Sequence, residues 1–212
     1  MAELDHIVLG ARSLAAGAEF VAAHLGAPPG PGGRHEGFGT HNLLLGLGPT
    51  GYLEVLAPDP EQPHPALPRP FGLDDPALAL ALEAEPRLIG WAARTPALEA
   101  VLARLGPRGG TPFAMRRGDF AWRIAFPPRA ESMGGLVPAL IQWDGRGVAA
   151  TLPDSGWRLV ALEAEHPEAA ALRAALAERG VADVVRVRRS PHARLMARLR
   201  HIEGREVVFG GG

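Results

Sequence analysis

At 212 residues and 47% hydrophobic, the chain can bury one substantial core or two small ones. Its 22 basic residues, all arginine, nearly balance 23 acidic ones, and a net charge of −1 gives no electrostatic footprint for nucleic acid or an anionic membrane. The absence of cysteine excludes a disulfide framework, a thiolate metal site and a cysteine nucleophile. No signal-peptide pattern opens the chain and no apolar run approaches the roughly 18 residues that span a bilayer, so a cytoplasmic address is expected.

The first element is a strand from His6 to Ala11, followed by a helix that Ser13 caps and Gly26 ends, with Leu14, Ala18, Val21 and Leu25 at helical spacing. A glycine-rich hairpin, Gly30 to Gly39, leads into strands over 39–47 and 51–57, the second carrying Tyr52-Leu53-Glu54-Val55-Leu56. Pro58 to Pro86 is dense in proline and reads as a connection, with a flap over a pocket as its functional alternative. The pattern restarts with a strand from Leu88 to Ala93 and a helix capped by Thr95, with Pro96 at its first position, ending at Gly106. Strands follow at Phe120 to Phe126 and Leu136 to Trp143. A third start runs from Trp157 to Leu162, through a helix carrying Leu172 and Leu176 to Gly180, and on to strands over 181–187, 193–200 and 206–209. Each unit reads β-α-β-β-β. One unit cannot cover its own sheet face and must pair with a copy, so the expected architecture is α+β, with paired modules at 1–58 and 87–145. A connection at 59–86 joins them, and a third, partial module at 155–212 completes one compact domain.

Two residues stand out within these apolar strands, His6 in the first and Glu54 in the fourth. Either is costly to bury unpaired, which points to a shared polar pocket. Strand alternation agrees: His6, Val8 and Gly10 share one face and Ile7 and Leu9 the other, while Tyr52, Glu54 and Leu56 share one face and Leu53 and Val55 the other. The aliphatic faces pack on the helix, leaving His6 and Glu54 to point away from it. In the third strand alternation alone permits either His41, Leu43 and Leu45 or Thr40, Asn42 and Leu44 to face the pocket. Leu43 and Leu45 make the better helix-facing pair, which puts Thr40 and Asn42 inside.

The repeated β-α-β-β-β order with these residues resembles the vicinal oxygen chelate superfamily. His6, Gly32-Gly33-Arg34-His35, Gly39-Thr40-His41-Asn42, Tyr52-Leu53-Glu54, Asp59-Pro60 and Leu140-Ile141-Gln142-Trp143 are similar, more narrowly, to its glyoxalase-like domain family, over about residues 4 to 145. The resemblance implies a cupped mixed sheet with the active site on its concave side. It also implies a divalent metal (Zn, Fe, Mn or Ni) held by a His and a Glu from each half. Here His6 and Glu54 supply the first half. Aligning Ala93-Arg94-Thr95 on Ala11-Arg12-Ser13 puts Leu88 where the second His belongs, and aligning Ile141-Gln142-Trp143 on Leu53-Glu54-Val55 puts Gln142 where the second Glu belongs. Half the ligand set is missing, and His35 or a water would have to complete it, so weak or low metal occupancy is expected.

The expected roles follow. Glu54 serves as metal ligand or general base, His6 as ligand or proton carrier, and His35 as rim acid or ligand, with Thr40, Asn42 and Gln142 orienting substrate. The resemblance implies an enzyme of lyase, isomerase or dioxygenase type acting on a small oxygenated or carboxylated metabolite. The alternative is a resistance-type protein that sequesters a ligand in the same pocket without chemistry. A small molecule is the expected partner, with no nucleic acid or membrane, and a homodimer is compatible. The C-terminal arginines Arg186, Arg188, Arg189, Arg194, Arg198 and Arg200 read as the solvent face of strands; the alternative, a carboxylate clamp, applies equally to Arg116-Arg117. No Gly-x-Ser-x-Gly elbow, phosphate loop or His-Glu-x-x-His motif is present.

Overall fold

A computed structural model describes residues 2–210. Its first half runs β1 (Glu3–Gly10), α1 (Leu14–Leu25), β2 (Gly30–His35), β3 (Thr40–Gly46) and β4 (Tyr52–Pro58). After a helix α2 (Pro76–Ala84) inside the proline-rich connection, the second half repeats the order as β5 (Arg87–Arg94), α3 (Leu98–Leu105), β6 (Pro112–Arg117), β7 (Phe120–Ala125) and β8 (Ala139–Trp143). All eight strands form one curved mixed sheet, β2-β3-β4-β1-β5-β8-β7-β6. In each half the first strand lies parallel to the last, β1 on β4 and β5 on β8, and the halves join where β1 runs antiparallel to β5.

The C-terminal segment has the same order of elements: β9 (Trp157–His166), α4 (Ala169–Glu178), β10 (Arg186–Arg189), β11 (Arg194–His201) and β12 (Glu206–Phe209). It forms a separate four-stranded sheet, β10-β9-β11-β12, in which β9 pairs with the strand that follows its helix. Its arginines alternate outward, with Arg198 and Arg200 both pairing with Glu206, while Leu195, Ala197 and Leu199 are buried.

Helix α1 begins where the Ser13 hydroxyl accepts the Ala16 N–H at 3.2 Å and ends at Gly26, whose φ of 69° is left-handed. It lies so close to β4 that a Cβ on Gly17 would come within 2.3 Å of Val55. Ile7, Leu9, Leu53, Val55, Trp91 and Ala93 project from the sheet into one core with Val21, Leu25, Leu98 and Leu102 of the helices. Leu162, Leu172, Leu195 and Leu199 of the C-terminal segment belong to the same core, and Trp157 Nε1–H donates to the Leu25 carbonyl at 3.0 Å. The helices thus take the aliphatic face of every central strand, and the opposite face is left to line a pocket.

Helix α3 starts two residues later than the Thr95-Pro96 pair suggests. Ala97 is its N-cap, the Thr95 hydroxyl accepts the Ala97 N–H, and the Leu98 N–H is taken at 2.9 Å by the side-chain oxygen of Gln142. The proline-rich connection is more than a spacer. It carries α2, and it turns Pro70 and Phe71 over the pocket, with Phe71 at a left-handed φ of 55° that a bulky residue rarely adopts.

Candidate functional site

Alternation puts His6 on the pocket face of β1, with Ile7 and Leu9 turned to the core, and a local irregularity brings its neighbour to the same side. The pairing of β1 with β5 shifts register between Leu4 and His6, so Asp5 falls out of strict alternation. Its carboxylate therefore reaches the same side as His6: Asp5 Oδ1 sits 2.7 Å from His6 Nδ1, and Trp143 Nε1–H donates to Asp5 Oδ2 at 2.9 Å. The other ring nitrogen of His6 faces Glu54 Oε2 at 3.4 Å, and the ring stacks on Tyr52 at 4.6 Å. Glu54 Oε1 accepts a 2.6 Å hydrogen bond from Asn42 Nδ2. Asp5, His6, Asn42 and Glu54 are all at most 5% exposed. Among the described residues no buried side-chain nitrogen or oxygen lacks a partner, so this is a satisfied network rather than a packing defect.

Asn42 fixes the orientation of its neighbours. Its carbonyl oxygen accepts the Gly33 N–H at 2.8 Å and the Arg117 guanidinium at 3.2 Å, which leaves its NH2 for Glu54 and, at 3.2 Å, for His35 Nε2. Since that NH2 can only donate, His35 Nε2 is an acceptor. The proton of His35 then sits on Nδ1 and is donated to the Thr40 hydroxyl at 2.9 Å.

The two imidazoles differ in charge. Burial alone would lower the His6 pKa, but hydrogen bonds and charge from Asp5 and Glu54 outweigh it and raise the pKa to about 9, so His6 is an imidazolium at neutral pH. Burial dominates at His35 and lowers its pKa despite the attraction of Glu54, so that ring is neutral. Burial would raise Glu54, yet His6, His35 and Asn42 hold its pKa down to about 2 and keep the carboxylate ionised. Tyr52, buried beside Asp5 and Glu54, stays a neutral phenol with its pKa well above the usual value.

The pocket enclosed by these groups is a small cavity of about 50 Å³, also lined by Leu44, Leu56, Met115, Trp122, Ile124 and Ile141. Phe38, Pro70, Phe71 and Phe126 line both it and a wider cleft of about 1000 Å³.

The fold brings His6, Glu54, His35 and Asn42 together and sets Thr40 directly behind His35, buried. Gln142 is not among them. Ile141 and Trp143 line the pocket, so alternation turns Gln142 to the helix face, where it caps α3. The expected counterparts of the first-half pair also change. Thr95 N–H bonds the Ile141 carbonyl as Ala11 N–H bonds that of Leu56, and Ala92 lies opposite Ala139 in register as Val8 lies opposite Glu54. Counting from these pairs, Gly90 takes the place of His6 and Ala139 that of Glu54, rather than Leu88 and Gln142. A Cβ on Gly90 would strike the Phe71 ring at 2.5 Å, so the space of a second histidine is filled from the connection.

The donor set therefore does not fit a metal held by both halves. Gly90 and Ala139 offer no ligand atom, and both ring nitrogens of His6 already face carboxylates, Nδ1 that of Asp5 and Nε2 that of Glu54. Among the described residues no group of three or more His, Asp or Glu side chains is arranged to hold an ion.

Asp5, Trp143, Phe71 and Arg117 complete the pocket without having been singled out for it from the sequence. A bulge, a distant strand and a left-handed turn place the first three, and none of those leaves a local signature. Arg117 carried only the general expectation that an arginine fork suits a carboxylate.

The glyoxalase-like domain family matches residues 4–180. No curated protein matches the chain in sequence. Among solved structures, a hypothetical protein from Staphylococcus aureus is similar over 99% of this chain and 85% of its own, with 14% identity and a TM-score of 0.58. Methylmalonyl-CoA epimerase from Mycobacterium tuberculosis is similar over 70% of this chain and 91% of its own, at 23% identity and a TM-score of 0.47. A Streptomyces coelicolor methylmalonyl-CoA epimerase in complex with 2-nitronate-propionyl-CoA covers 68% and 96%, at 22% and 0.47. At such identities the likeness is one of fold. With the family match spanning most of the chain and the paired modules forming one eight-stranded sheet, the protein belongs to the glyoxalase-like domain family.

Proposed function

We propose that this protein is a glyoxalase-like enzyme that transfers a proton on a small oxygenated or carboxylated metabolite, with His35 as base and His6 as acid on either side of Glu54. The observation that carries the reading is the different setting of two buried imidazoles in one pocket, His6 between the carboxylates of Asp5 and Glu54 and His35 with Nε2 on the Asn42 NH2. Titratable groups whose surroundings push their pKa values apart mark an acid and a base. The His35 Nε2 lone pair, held by the Asn42 NH2 at 3.2 Å, takes a proton from carbon once substrate displaces that hydrogen bond. His6 Nε2–H, only loosely held by Glu54, turns its hydrogen bond to the substrate oxygen on which charge develops. Glu54, fixed by Asn42, keeps His6 charged and is the alternative proton acceptor once substrate displaces His6. This reading makes His35 a base, where a rim acid or ligand was expected.

A second reading, sequestration without turnover, is favoured by the absence of ligand atoms at Gly90 and Ala139. One experiment separates the two. Small 2-oxo acids incubated in deuterium oxide should exchange the hydrogen next to the carbonyl in the presence of the protein, followed by proton NMR. Exchange should fall about 10²-fold in His35→Gln or Glu54→Gln while both variants remain folded. Ligands that raise the melting temperature of the parent without any exchange would establish the binding protein instead.

A further inference from the structure

We infer that Arg117 selects a carboxylate on the ligand and that the Gly32-Gly33 pair exists to seat it. Arg117 lies on β6 of the second half but reaches across the pocket to β2 and β3 of the first. There it spends one of its five N–H donors on the neutral Asn42 oxygen, 3.2 Å away. Several arginines pair with a carboxylate, as Arg94 does with Glu3, Arg123 with Glu99 and Arg158 with Asp154; among the described residues none pairs with Arg117. Half-buried and lining the cavity, its guanidinium has donors to offer a planar, bidentate anion.

The glycines make this placement sterically possible. A Cβ on Gly32 would lie 2.0 Å from Asn42 Oδ1, and a Cβ on Gly33 would lie 2.4 Å from Arg117 Cδ. The Gly33 N–H simultaneously donates to the same Asn42 oxygen that receives Arg117. The hairpin thus leaves its side chains off so that one amide and one guanidinium can meet above Glu54. The pocket already holds the carboxylates of Asp5 and Glu54 against the single imidazolium of His6. The Arg117 guanidinium offsets the one carboxylate in excess and leaves the site neutral, which favours a monoanionic carboxylate over a phosphate dianion in so small a cavity.

The inference rests on the proposed substrate class and is tested by binding alone, independently of turnover. The probes are propionate and 2-oxobutyrate, their primary amides, and inorganic phosphate, measured by titration calorimetry and by the side-chain Nε–H NMR signal of Arg117. The acids should bind the parent more tightly than the amides and shift that signal. Arg117→Met should cost the acids about 10-fold or more in affinity while leaving the amides unchanged, as expected for loss of a charge-assisted pair. Gly33→Ala should have the same effect with Arg117 still present, because the added methyl displaces the guanidinium and Gly33 is not held at a positive φ. Combining the two substitutions should lose nothing more than either alone. No preference for acid over amide in the parent, an unchanged preference in both variants, or phosphate binding more tightly than the carboxylates would each overturn the assignment. Selective carboxylate binding without deuterium exchange would leave Arg117 in this role and remove the proposed chemistry; exchange without carboxylate selectivity would do the reverse.

Discussion

The pocket's chemistry turns on a buried imidazolium held between two carboxylates. Glu54, held at about 2 against an ordinary 4.5, supplies stability that is complete above 4.5 and is lost as the pH falls through about 2. His6, held at about 9 against 6.5, supplies stability that is complete below 6.5 and is lost as the pH rises through about 9. The pair therefore contributes most between those two ordinary values. Glu54→Gln strands the imidazolium with only Asp5 and should cost on the order of 3 kcal/mol there. Thermal melts of parent and variant across the pH range should show their difference largest near pH 5 to 6, shrinking toward both extremes. A difference independent of pH would mean that the pair is not coupled in the way its geometry indicates.

Individual elements carry their own consequences. Gln142 sits in a strand whose neighbours Ile141 and Trp143 face the pocket, so its own side chain can only face the helices. By accepting the Leu98 N–H it does for α3 what the Ser13 hydroxyl does for α1. Gln142→Ala should cost roughly 1 kcal/mol of stability, read by denaturant titration, and leave ligand binding and exchange unchanged. Loss of ligand binding in that variant with the fold intact would return Gln142 to the pocket. The segment carrying Phe71 shows the same dependence on surroundings. Its ring is seated on Gly90 and set edge-on to Phe126 at 5.5 Å, contacts supplied by elements distant from it in sequence.

For the molecule as a whole, the two halves share a backbone plan but not a pocket face. The first contributes His6, His35, Asn42 and Glu54; the second contributes Gly90 and Ala139 at the matching places, with Arg117 reaching over from the edge strand β6 and Trp143 from β8. A chemistry run by the first half's own side chains should survive removal of divalent ions. Deuterium exchange and ligand-induced stabilisation should accordingly be unchanged after dialysis against a chelator. Loss of both on chelation, with recovery on adding zinc, iron, manganese or nickel, would show that a metal is held by ligands other than a matched pair from each half.

By itself the sequence determined the two repeated modules, the faces of β1 and β4, and the presence of His6 and Glu54 on one side of the sheet. These follow from alternation and helical spacing, which are local periodicities set by backbone geometry. The choice of Asn42 over His41 for the pocket was legible for the same reason, since Leu43 and Leu45 had to meet the helix. Two kinds of feature escaped. The correspondence between halves was misplaced because Thr95 resembles a helix cap, whereas the helix begins only after Ala97 and strand pairing puts Gly90 and Ala139 at the positions equivalent to His6 and Glu54. Asp5, Trp143, Phe71 and Arg117 enter the pocket through a bulge, a left-handed turn and contacts between strands remote in sequence. Only tertiary structure decides these, because they depend on which strands become neighbours and on the space their side chains leave.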